Sequence, residues 1–265
     1  MRPWFLLALA AGPLATRLVA QDAPGTVAAS ALVARGDSAR NRFELQAALT
    51  AYDAALARDS MDYAANWKAA LTLVDIGKDT PDSVRDPARD RLYERAEELS
   101  RRAVAIDPRR AEALFVLSNA VGRAALTKSP KERVKSANEI YDFSTAALGI
   151  DHRHDGAYHV LGRWNAEIMR LSGLSRFFAK NLLGAGIFSQ ASWEAAVSNM
   201  ERAVALDPAR LYHRLELAEI YVDRKRYDDA RSELAQLAAL PDREIMDSVY
   251  RRQAEALAAR IAKKK

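Results

Sequence analysis

The sequence predicts an all-α fold, a right-handed helical solenoid of about five helix pairs closed by a C-terminal capping helix. Three observations carry that expectation. A six-residue phrase recurs, as AVAIDP at Ala103 to Pro108 and AVALDP at Ala203 to Pro208, with relaxed copies at Ala55 to Ser60 (ALARDS) and Ala147 to His152 (ALGIDH). The chain is 49% hydrophobic and 28% charged, rich in alanine and poor in glycine, which favours helix over sheet. The last unit runs 33 residues from Pro208 to Pro241, with apolar residues at helical spacing.

In every copy Ala stands first, Val or Leu second and Asp fifth; seven residues before the leading Ala lies Ala48, Ala96, Ile140 or Ala196. Small residues at that spacing let two helices approach closely. Asp is a strong N-cap and Pro is pre-set for a first helical turn. Asp107-Pro108 and Asp207-Pro208 are therefore expected each to close one helix and open the next. The expected pairs are Thr26 to Ala34 with Leu45 to Arg58, Asp62 to Ile76 with Arg89 to Ile106, and Pro108 to Leu126 with Lys131 to Ile150. His154 to Leu171 with Ser192 to Leu206, and Pro208 to Val222 with Tyr227 to Leu240, complete the series. Arg243 to Ile261 is the cap that the open apolar end of a stack requires. Asp-to-Asp steps of 48, 44 and 56 residues mark insertions in the earlier units. Gly77 to Asp90, with two prolines and alternating charge, and Thr127 to Glu132 are expected to be solvated loops.

The N-terminus is expected to be a targeting segment. MRPWFLLALAAGPLATRLVA offers Arg2, an apolar run from Trp4 to Ala11, a breaker at Gly12-Pro13 and small Ala20 before Gln21. The reading is a signal peptide over residues 1–20, a single repeat domain over 21–265, and export to the periplasm or exterior; a retained anchor is the rival. With no cysteine, neither a disulfide nor a lipid-bearing thiol is available. The formal net charge of +5 falls once Arg2 and Arg17 leave with the signal, too mild a balance to point to nucleic acid.

No catalytic or cofactor signature appears, so the expectation is a non-enzymatic protein with no cofactor and no metal. DHRHDGAYH gathers His152, His154, Asp155 and His159, but His154 and His159 are five apart rather than the four that share a helical face. His152 occupies the slot held elsewhere by proline and is read as a helix-start residue. The unusual segment is the fourth-unit insertion, Leu171 to Gln190, which carries Phe177, Phe178, Leu182, Leu183, Ile187 and Phe188 where a repeat loop is expected to be polar. As a helix, Leu174 to Leu183 places Leu174, Phe177, Phe178 and Leu182 on one stripe, with Arg176, Lys180 and Asn181 away from it. It reads as core, as the wall of an apolar cavity, or as a membrane contact.

Leu217, Ala218, Tyr221, Ala230, Leu234 and Pro241 give the last unit an L-A-x-x-Y, A-x-x-x-L and closing proline that resemble a tetratricopeptide repeat. A second likeness follows. HVLGRWNAEIM (His159 to Met169), SWEAAVSNMERAVALDP (Ser192 to Pro208) and AALPDRE (Ala238 to Glu244) resemble the regulator of microtubule dynamics protein family, with L-G-R-W at Leu161 to Trp164 and L-P-D at Leu240 to Asp242 as the more specific marks. That resemblance implies a non-enzymatic tetratricopeptide-like domain, whose eukaryotic relatives are associated with microtubules, membrane contact sites and phospholipid binding. This chain differs from those relatives in carrying an export signal in place of an organelle anchor.

Three functions are open on these grounds. One is a scaffold holding a protein or peptide partner in its concave groove. Another is a carrier of phospholipid or another apolar ligand, or a binder of membrane surface. By resemblance alone, the third is a microtubule-associated protein. Arg163, Trp164, Phe177, Phe178, Leu182, Leu183 and Phe188 are the candidate ligand-binding residues. A scaffold predicts a charged and polar concave face with no enclosed void, a carrier a closed apolar cavity touching Phe178 or Leu182. Convergent ionisable groups including His154 or His159 mark an enzyme.

Overall fold

The computed structural model describes residues 27–81, 84–173 and 186–264. Among them are eleven α-helices, two short 3-10 turns and no strand. The helices are α1 (Ala29–Asn41), α2 (Leu45–Arg58), α3 (Tyr63–Gly77), α4 (Pro87–Ile106), α5 (Ala111–Ala124) and α6 (Pro130–Ile150). There follow α7 (Asp155–Arg170), α8 (Trp193–Leu206), α9 (Leu211–Asp223), α10 (Tyr227–Ala239) and α11 (Asp247–Ile261). Each helix packs on its successor, and the first helices of pairs two to five also touch in sequence, α3 on α5, α5 on α7 and α7 on α9. Pairs are thus stacked in single file, closed by α11 lying on α9 and α10. No described helix is long and apolar enough to cross a membrane.

The small-residue positions do what their spacing predicts. Ala55, Ala103, Ala147 and Ala203, and upstream Ala48, Ala96 and Ala196, are all fully buried. Gly162 marks a close approach between α7 and α8. A Cβ there would stand 3.1 Å from the backbone nitrogen of Met200 and 3.3 Å from the carbonyl oxygen of Ala196. Backbone cannot yield as a flexible side chain does, so Gly162→Val is expected to cost about 2 kcal/mol, read from urea denaturation.

The aspartates close helices without opening the next. Asp59, Asp107, Asp151 and Asp207 are the C-terminal neighbours of α2, α4, α6 and α8. Each carboxylate accepts from the backbone N–H two residues on, at Met61 (2.9 Å), Arg109 (3.1 Å), Arg153 (2.9 Å) and Ala209 (3.3 Å). Such Asx turns hold a short connection in shape, and the following helix begins only after it. After Asp107 and Asp207 the next helices, α5 and α9, start with no side-chain cap, and after Asp59 and Asp151 other residues cap. Asp62 accepts from Ala65 N–H at 2.7 Å, and His154, rather than His152, accepts at Nδ1 from Ala157 N–H at 3.2 Å.

Asp-Pro does open a helix where a loop was expected. Asp86 accepts from the N–H groups of Ala88 and Arg89, with Pro87 in the first turn. Pro130 likewise starts α6 inside the expected Thr127 to Glu132 loop, because Ser129 and Glu132 form a reciprocal capping box. At the N-terminal end α1 runs on to Asn41, well past the expected Ala34. Gly36 leaves room for the Tyr52 ring, and Tyr52 donates its hydroxyl to Asp37 at 2.7 Å, so the polar second half of the helix is anchored on α2. The expected leader and most of the fourth-unit insertion lie outside the described residues.

Candidate functional site

The first helix of every pair contributes to one cavity of about 740 Å³ on the inner face of the stack. Its walls mix apolar and charged groups. Leu71, Phe115, Ile140, Trp164 and Ile168 supply apolar surface, while Arg40, Asp75, Lys78, Arg123, Arg163 and Arg210 bring charge. The cap, expected only to cover an end, also closes this space: Tyr250 of α11 stacks on Tyr212 of α9, centroids 4.5 Å apart and planes 14° from parallel.

Tyr212 is the hub of the polar floor. Lys78 Nζ lies 5.7 Å from its ring centroid, the His159 ring is 4.4 Å away, and Arg163 donates to its hydroxyl. Arg163 is also paired with buried Glu216 at 3.2 Å. Beside this floor one carboxylate, Asp75, serves two cations, Arg40 and Lys78, the latter at 3.0 Å. Burial opposes the Asp75 charge, but Lys78 and Arg40 outweigh it and hold the carboxyl at about 2. Burial pulls the Lys78 ammonium below its ordinary value against the attraction of Asp75.

Beneath Tyr212 runs a chain from half-buried Asp155 through buried His213 to buried His159. His213 Nε2 is 2.8 Å from Asp155 Oδ2, and His213 Nδ1 is 2.9 Å from His159 Nδ1. Burial lowers the pKa of both rings, with nearby positive charge adding to the effect on His159. The tautomers then follow, because an ionised carboxylate only accepts. His213 donates from Nε2 to Asp155 and accepts at Nδ1 the proton of His159 Nδ1–H. His159 Nε2 is left as an acceptor and finds no partner among the described residues, although the residue is only 5% exposed. Such an orphan costs about 1–3 kcal/mol. Asp155 is held well below the usual carboxylate range; its burial is outweighed by His213 and Arg210.

Of the residues singled out from sequence, Arg163 and Trp164 line the cavity. Trp164 is buried, donates its indole N–H to the Ala137 carbonyl at 2.8 Å, and meets Phe188 edge-on with centroids 6.5 Å apart. Phe177, Phe178, Leu182 and Leu183 lie outside the described residues. The charged lining is what a scaffold predicts, but it walls a partly enclosed space where that expectation has no void. His159 does stand among convergent ionisable groups, but its Nδ1 is taken up by His213 rather than by a hydroxyl or thiol. Among the described residues no group of three or more His, Asp or Glu is placed to hold a metal ion. Lys78, Tyr212, His213 and Tyr250 had no signal in the sequence beyond helical spacing, since their convergence comes from curvature across distant repeats.

Comparison with known families decides the family. The model of the regulator of microtubule dynamics protein 1-3 family matches residues 31–262. The chain belongs to that family. The match spans every described helix but the first residues of α1, so the likeness seen in the second half extends through the first. Among solved structures, a thermophilic tetratricopeptide-repeat protein of Thermus thermophilus aligns with TM-score 0.62 and 22% identity, over 88% of this chain and 100% of that one. PilF of Pseudomonas aeruginosa aligns with TM-score 0.51 and 15% identity, over 88% and 90%. At such identities the likeness is one of fold, and the fold of this family member is the tetratricopeptide-like solenoid. No curated protein matches.

Proposed function

We propose that this family member acts by binding, and that a peptide segment of a partner protein occupies the inner cavity. The observation that supports this is the cavity itself, about 740 Å³, walled by every pair and lined by aromatic and charged side chains together. Pockets of this size with a few placed polar groups are where ligands bind. A plug tests it. A Cβ at Gly122 would meet only Ile140 Cδ1, at 3.5 Å, so Gly122→Phe starts without a backbone clash from a cavity-lining position. Peptides selected by phage display on the wild type are expected to lose at least about ten-fold in affinity on Gly122→Phe. Selection of no peptide, or binding that ignores the plug, would overturn the reading.

A second reading, a carrier of phospholipid or another apolar ligand, has one supporting observation. Phe188, at the described end of the insertion, packs on the cavity residue Trp164. Native mass spectrometry with lipid extraction separates the two: co-purified lipid favours the carrier, and an empty protein that also ignores liposomes counts against it. On either reading we propose that the expected leader over residues 1–20 is cleaved and carries the site out of the cytoplasm. Mass spectrometry of the protein expressed in a bacterial host is expected to find a chain starting at Gln21, and an intact Met1 would refute export by cleavage.

A further inference from the structure

Phe43 follows directly on the Arg40-Asn41-Arg42 run at the end of α1, and its backbone has φ of 62°. That is the left-handed region, disfavoured for a bulky side chain and normally given to Gly or Asn at a helix C-terminus. The turn itself needs no aromatic ring. Phe43 N–H bonds to the Arg40 carbonyl and Glu44 N–H to that of Ala39; the equivalent turn after α9 has the same two bonds, from Lys225 and Arg226, with Lys225 at φ 58°. Lysine thus fills the same conformation in the fifth pair. The Phe43 ring contributes little to the core, being 45% exposed, yet it lines the cavity wall. Ile245, 37% exposed, is a second large apolar residue exposed on that wall. Strained residues kept at such positions point towards function. The wall also carries a charge imbalance: Asp75 is shared by Arg40 and Lys78, and the Lys78 ammonium spends one of its three donors on it.

Resting on the peptide-binding reading above, we propose that Phe43 is a specificity residue, and that the cavity selects an acidic peptide whose carboxylate is held at Lys78 while an apolar side chain packs on Phe43 and Ile245. Phe43 then stands at the expense of stability, with a largely exposed ring that the turn itself does not use, since Lys225 closes the equivalent turn.

The test uses three pools of capped octapeptides built of alanine, with one Glu and one Leu, one Gln and one Leu, or one Glu and one Ser at varied positions. Retention is read by size-exclusion mass spectrometry. The Glu/Leu pool is expected to bind about ten-fold tighter than either other pool. Phe43→Gly is expected to raise the urea midpoint and to abolish the preference for Leu. Lys78→Met is expected to abolish the preference for Glu and keep that for Leu. Equal binding of the three pools, or unchanged Leu preference in Phe43→Gly, overturns the inference. If the pools fail while plug-sensitive peptides of other composition are found, the inference falls and cavity binding stands. If phosphatidylglycerol vesicles bind and no peptide does, both fall.

Discussion

Trp164→Ala is expected to lower the free energy of unfolding by about 3–5 kcal/mol, the range for emptying a large buried aromatic site. Trp164 ties the third pair to the fourth. Its ring meets Tyr141 of α6 with centroids 4.9 Å apart, its N–H is bonded to the Ala137 carbonyl, and Phe188 sits on its edge. Removing it vacates a joint of the solenoid, and in a single-file stack each joint is held only by its neighbours. The urea midpoint should fall with little change in slope. Trp164→Phe separates the two contributions: it keeps much of the ring packing and removes only the indole hydrogen bond to the Ala137 carbonyl, which keeps its own helical donor, so the loss should be about 1 kcal/mol. A loss below about 1 kcal/mol for the alanine variant would show that the joint does not depend on this residue.

The same joint shows what was legible in the sequence. Close packing at Gly162, and the need of the Trp164 N–H for a partner, follow from the residue types alone, as do the buried alanines of the repeated phrase. These are local rules, satisfied by the helix before or after along the chain. The roles of Asp107 and Asp207 were misread because Asp serves an Asx turn as readily as an N-cap, and the backbone chooses between them. The floor of the cavity was not legible for a different reason. Lys78 and Tyr212 are more than a hundred residues apart and meet only because the pairs curve round until the end of α3 faces α9 and the cap. Curvature is a sum of small rotations over all the repeats, and no single motif encodes it. His159 stood out within its histidine-rich stretch, yet its actual partner, His213, lies in the next pair.

Stability is expected to fall with acid in two stages, each with its own cause. The first begins near pH 6.5, the ordinary histidine value. Burial keeps His159 and His213 neutral in the folded protein, so below that pH the unfolded chain binds more protons and is favoured. The Nδ1-to-Nδ1 contact sharpens the effect, since it survives only while one of those nitrogens is bare. The full contribution of the pair is therefore present above about pH 6.5 and declines as the pH drops. The second stage belongs to Asp75 and Asp155. Unfolded aspartate takes up its proton near 3.8, whereas Asp75 keeps its charge down to about 2. The contribution of Asp75, about 2 kcal/mol, is whole above pH 3.8 and vanishes as the pH falls towards 2. Urea unfolding at pH 8, 6.5, 4.5, 3 and 2 measures both stages. His159→Phe, whatever it does to stability at pH 8, should flatten the slope between pH 6.5 and 4.5 and leave the lower stage in place. Asp75→Asn should shrink the lower stage to the part due to Asp155 and leave the upper stage in place. A His159→Phe protein with the wild-type slope in the upper interval would mean that the imidazoles are not held neutral, and the acceptor role given to His159 Nε2 would fall with them.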